Sequence, residues 1–178
     1  MPRVRLLFYA INGTGLGHLT RLLAVARSCR ELLDALEQEA DIRFLTSSEA
    51  SEVVWDFPVY KLPSKTVART VKMGVDEFEA ESKLLVTNLM ASFKPDVLVV
   101  DTLPQGSYRE IAFLKTFASR MVYIDRHKDP SVTRTELHQK HVALYDRVLI
   151  PDHPEAAARY EHSKEVIPKR KFVGPIHL

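Results

Sequence analysis

Cysteine is nearly missing from this sequence: Cys29 is the only one in 178 residues, so no disulfide can form within the chain. On the apolar side of a predicted helix it reads as a small core residue rather than a nucleophile. No apolar run approaches the roughly 18 residues of a membrane-spanning helix. The arginines near the start are not followed by a signal-peptide core beyond the first predicted strand, and a cytoplasmic protein is expected. Charge of one sign is scarce. The formal balance of +2 gives no nucleic-acid footprint. Seven histidines are present without an HExxH pattern or cysteine partners, so no metal site is expected. His138 and His141 lie three apart, a spacing that chance supplies. A Gly-x-Ser-x-Gly elbow and a Gly-Lys-Ser/Thr P-loop are both missing, against a serine triad and a nucleotide cradle of that type. No repeat and no low-complexity tract interrupts the chain, and its length suits one domain with a real core.

Glycine is also sparse, yet three of the six glycines, Gly13, Gly15 and Gly17, fall within five residues. They follow the apolar run Leu6 to Ile11, which suits a strand buried on both faces. They precede Leu19, Leu22, Leu23, Ala26, Cys29, Leu33 and Leu36, spaced as one face of a helix. Strand, glycine turn and helix open an α/β sheet that binds ligands at the carboxyl ends of its strands. The dinucleotide fingerprint requires Gly-x-Gly-x-x-Gly, but here the sixth place is His18. No acidic residue closes the second strand as a ribose ligand would. A plain tight turn is the alternative reading, though three glycines and a histidine exceed what a turn needs.

Further strands are predicted at 41–46, 58–62, 96–100, 121–124, 147–150 and 171–173. Helices are predicted at 76–93, 108–118 and 132–145, with a short one over 50–55. Residues 63–75 are polar and basic without a clear period. They read as a mobile loop near the ligand side or as an ordinary solvated connection. Strands alternating with helices argue for a Rossmann-like, doubly wound, mainly parallel sheet of about seven strands with helices on both faces.

Loops after parallel strands open on one edge. That edge collects His18, Asp101 and Thr102, the run Asp125-Arg126-His127-Lys128, and Asp152 with His153. Histidine titrates near neutral pH and suits proton abstraction; a carboxylate behind it fixes the tautomer and steadies the imidazolium. His18 and Asp101 are the best such pair in the sequence. The structural alternatives are a helix-start histidine bonded to backbone and an aspartate capping the next turn. Lys164, Lys169, Arg170 and Lys171 form a basic cluster, either a solvated face or a contact for an anionic membrane surface or phosphate.

Gly13-Thr14-Gly15-Leu16-Gly17-His18-Leu19-Thr20-Arg21, placed after a first strand, resembles the N-terminal glycine loop of GT-B glycosyltransferases. It is most similar to the group related to the lipid II glycosyltransferase and to bacterial predicted glycosyltransferases. Lys94-Pro95-Asp96-Val97-Leu98-Val99-Val100-Asp101 resembles the fourth strand of the same fold. Phe172-Val173-Gly174-Pro175-Ile176 resembles the passage into the interdomain linker. The resemblance implies one N-terminal domain over residues 1–174, a linker beginning at 175–178, and a C-terminal donor-binding domain absent from this chain. That absence implies either a piece of a longer chain or one subunit of a split enzyme, with a C-terminal-half partner chain.

By the same resemblance, His18 is the general base and Asp101 its orienting carboxylate. The loop of Gly13, Thr14, Gly15 and Gly17 faces a diphosphate or an acceptor phosphate, and Arg126, His127 and Lys128 line the cleft. The implied activity is inverting transfer from a nucleotide-sugar donor to a small-molecule or lipid-linked acceptor hydroxyl, with no metal or other cofactor. The chain is expected to be inactive without its other half. Half of a sugar-nucleotide epimerase, or a non-catalytic module holding a phosphorylated ligand or a partner protein, are the alternatives.

Overall fold

The computed structural model describes residues 3–11 and 16–176. Seven strands form one sheet, β1 (Val4–Ala10), β2 (Ala40–Thr46), β3 (Val59–Lys61), β4 (Val97–Asp101), β5 (Arg120–Ile124), β6 (Arg147–Ile150) and β7 (Arg170–Phe172). Their order is β3-β2-β1-β4-β5-β6-β7, and each neighbouring pair is parallel. The chain winds one way from β1 to β3 and the other way from β4 to β7. The switch point therefore lies between β1 and β4, the place at which sheets of this kind bind ligands beyond the strands' carboxyl ends.

Side-chain alternation along the strands builds two cores. On one face Leu6, Phe8 and Ala10 of β1 meet Leu19, Leu22, Leu23 and Ala26 of helix α1 (Gly17–Ala35). On the other, Leu7 and Tyr9 of β1 with Leu98 and Val100 of β4 meet Val86, Met90 and Phe93 of α3 (Val75–Phe93). The central strands β1 and β4 are covered above and below, which is why their sequences read as near-continuous apolar runs.

Four predicted elements differ in the structure. The stretch 63–75 is not all loop: α2 (Lys65–Thr70) forms within it because the Ser64 hydroxyl accepts the Val67 N–H, and Ala68 packs inward on Phe78 and Tyr108. The helix expected over 108–118 shrinks to α4 (Ile111–Leu114). The buried Glu110 carboxylate draws in the Ser107 and Tyr108 N–H groups and the Tyr9 hydroxyl, holding the chain in a loop. Gly106, at φ +85°, passes so close to that carboxylate that a Cβ there would sit 2.4 Å from it. The helix expected over 132–145 is two, α5 (Pro130–Thr133) and α6 (Glu136–Ala143). They break at Thr135, whose hydroxyl caps α6 by accepting the His138 N–H. The short helix expected over 50–55 is a 3-10 turn, Ser51–Val54.

Candidate active site at the switch point

Asp101 ends β4, in register with Ala10 of β1 and Ile124 of β5, and is fully buried. His18 is the second residue of α1, which begins beyond the end of β1. The switch-point geometry brings the two together: His18 Nδ1 lies 3.1 Å from Asp101 Oδ2. Two further side chains complete the cluster. Arg21, one turn along α1, donates from its guanidinium to Asp101 Oδ2 at 2.7 Å. The Thr102 hydroxyl donates to Asp101 Oδ1 at 3.0 Å and stands 2.7 Å from His18 Nδ1.

This bonding assigns a tautomer. The Thr102 proton goes to the carboxylate, so its oxygen can only accept from His18; Nδ1 therefore carries the ring hydrogen. Nε2 is left with a lone pair and has no protein partner among the described residues. The side chain is mostly buried, at 14% exposure, which keeps the ring fixed while its edge stays reachable. Arg21 offsets the charge of a carboxylate that has no access to water.

The remaining expected residues fare differently. Gly13, Thr14 and Gly15 lie outside the described residues. Gly17 is exposed at the start of α1, with open space where a Cβ would point. Arg126 and His127 are exposed on the loop after β5 and make no polar side-chain contact with His18 or Asp101 among the described residues. The His127 N–H donates to the Tyr160 hydroxyl and its ring meets Tyr160 edge-on. Lys128 does not face a cleft: its ammonium donates to Asp125, to the Tyr123 hydroxyl and to the Arg126 carbonyl, which uses all three hydrogens. Asp125 is buried, and its second oxygen is held at 2.9 Å by Nε2 of the buried His162. Burial works to raise the Asp125 pKa, but the bond from His162 and the Lys128 charge outweigh it and hold the group below the usual carboxylate range.

Sequence reasoning missed Arg21, Thr102's bonding role and His162. Arg21 carried a usable signal, since a residue three places after His18 on a helix shares its face. Thr102 carried none, because its contact depends on a left-handed backbone, φ +72°. Among the described residues, no group of three or more His, Cys, Asp or Glu side chains is arranged to hold a metal. None of their helices is long and apolar enough to cross a membrane. In the basic cluster Lys169 is partly spent inside, donating to the Ala143 carbonyl. A separate cleft of about 760 Å³ opens between α3 and the loop after β4, bordered by Lys83, Thr87, Tyr108, Arg109 and Phe113.

The sheet order and its switch point define a Rossmann-like, doubly wound α/β unit. No family model and no curated protein matches the sequence. Solved structures do match in fold. MurG of Acinetobacter baumannii aligns with 97% of this chain and 46% of its own, at 13% identity and a TM-score of 0.58. The glycosyltransferase SnogD of Streptomyces nogalater aligns with 96% of this chain and 49% of its own, at 13% identity and a TM-score of 0.54. A UDP-N-acetylglucosamine 2-epimerase aligns with 89% of this chain and 44% of its own, at 11% identity and a TM-score of 0.59. The chain thus spans about half the length of each of these proteins.

Proposed function

We propose that this chain is the acceptor-binding, N-terminal half of an inverting GT-B glycosyltransferase, with residues 1–174 as its domain and the linker starting at 175–178. The donor-binding half belongs to the same polypeptide or to a partner chain. His18 Nε2 takes the proton from the acceptor hydroxyl as that oxygen attacks the anomeric carbon. The bond from that carbon to the donor's diphosphate breaks, and its electrons leave with the nucleoside diphosphate. One displacement inverts the configuration. Asp101 steadies the imidazolium and Thr102 holds the ring's orientation.

The glycine sequence Gly13 to Gly17 supplies the binding groups for a phosphate of the donor or acceptor. Arg126 and His127, exposed on the loop after β5, are the residues that meet the donor half or its ligand. The acceptor is a small molecule or a lipid-linked one, and the setting is cytoplasmic, where an unpaired Cys29 stays reduced. The observation that carries this reading is the His18–Asp101–Thr102 arrangement, in which Nδ1 faces the buried carboxylate and the hydroxyl while Nε2 has no protein partner among the described residues.

The test is sugar transfer by the chain joined to its donor half. His18→Ala is expected to lower kcat by about 10²–10⁴-fold, the usual worth of a general base. Wild-type turnover in that variant refutes the assignment. The likeness to an epimerase motivates the second reading: there a nucleotide sugar is converted with no acceptor added, and product analysis separates the two.

A further inference from the structure

We propose that Tyr123, backed by Lys128 and Asp125, is a positioning residue for the base: it holds the turn at Thr102 and thereby the tautomer of His18. The inference rests on reading His18 as the base. Thr102 is β-branched and left-handed, a conformation that needs outside support. β5 supplies it on both sides of the residue. The Thr102 N–H donates to the Ile124 carbonyl at 3.3 Å, and the Thr102 carbonyl accepts from the Tyr123 hydroxyl at 2.8 Å.

The Tyr123 oxygen in turn accepts from Lys128 Nζ at 2.8 Å, Lys128 is paired to Asp125, and Asp125 accepts from His162. Tyr123, Asp125 and His162 are all buried. From Lys128 through Tyr123 to the Thr102 carbonyl the bonds run in one direction, so a phenol that accepts from an ammonium becomes a better donor to the carbonyl beyond it. Burial first, and then the Asp125 charge, push the Tyr123 phenol well above its ordinary pKa, which keeps it a donor. A right-handed Thr102 would swing its hydroxyl off His18. Nδ1 would then depend on one Asp101 oxygen at 3.1 Å that Arg21 already shares.

Nitrogen NMR of the folded chain with labelled histidine reads the tautomer directly, with His18 assigned by its loss in His18→Gln. The wild type is expected to show His18 as the Nδ1–H form. Tyr123→Phe and Lys128→Met are each expected to shift it toward a mixture of the two tautomers. Tyr145→Phe is the control, since it removes a hydroxyl bond to Pro104 in the same loop but not the one to Thr102.

A wild type in the Nε2–H form overturns the proposal. So does a folded Tyr123→Phe with the wild-type signal, or a Tyr145→Phe that shifts His18 equally. A shift in Tyr123→Phe without one in Lys128→Met removes Lys128 from the chain of contacts. Should Tyr123→Phe fail to fold by circular dichroism, Lys128→Met decides alone. Catalysis is not the readout, so a failed base assignment shows in turnover and a failed positioning role shows in the tautomer.

Discussion

Asp101 is the residue on which the site turns, because a fully buried carboxylate must have its charge answered inside the protein. Arg21 answers it, and removing one partner of a buried pair is costly. Arg21→Met is expected to destabilise the chain by about 3–5 kcal/mol in urea unfolding. Arg21→Met with Asp101→Asn should be less unstable than the sum of the two single changes, since neither charge is then stranded. Thr102 offers a second test. Thr102→Gly relieves roughly 1–2 kcal/mol of left-handed strain while giving up the hydroxyl. Thr102→Val keeps the strain and also leaves polar groups unpaired, at about 1–3 kcal/mol. Urea midpoints should therefore place the valine variant below the glycine variant. The candidate pair His18 and Asp101 was legible in the chain because both residues end or follow apolar strand runs. Thr102's contribution was not, since a φ of +72° in a threonine has no sequence signature.

At the scale of elements, α6 carries a pH sensor of stability. His138 is buried, and burial first, then the nearby Lys128 charge, lower its pKa from 6.5 to about 4. Between those values the unfolded chain binds a proton that the folded chain refuses. Stability therefore rises with pH across the window and is lost as pH falls from 6.5 toward 4, with a slope approaching about 1.4 kcal/mol per unit. His138→Gln should flatten this dependence in urea midpoints measured across that range. Asp125 acts in the same direction at more acid pH. Its folded pKa is held down, so its contribution is present above the ordinary value of 3.8 and lost only as pH falls below it. α2 stands on its cap: Ser64→Ala is expected to cost about 1 kcal/mol and to speed amide exchange over Lys65–Thr70. That helix escaped a periodicity reading because it spans fewer than two turns. The division of 132–145 escaped it too, because an internal threonine continues a helix or caps a new one according to what its hydroxyl meets.

At the scale of the molecule, two cores flank one parallel sheet, and the chain has the means to fold alone. It spans about half the length of the glycosyltransferases and epimerase it resembles in fold. If the proposed function holds, the 178-residue chain by itself transfers no sugar and adding a donor half restores transfer, measured by mass spectrometry of the product. Transfer by the isolated chain would mean that the donor site lies within it. What the sequence determined unaided was the wrapping: apolar runs too short and too uniform for exposed strands, alternating with helix-period segments, leave a doubly wound sheet as the arrangement that buries them. The order β3-β2-β1-β4-β5-β6-β7 then put the ends of β1 and β4 side by side. Only the tertiary structure decided which polar groups at that rim touch. Hydrogen bonds are made or lost within a few tenths of an ångström, and such distances follow from backbone turns and packing that no residue pattern encodes.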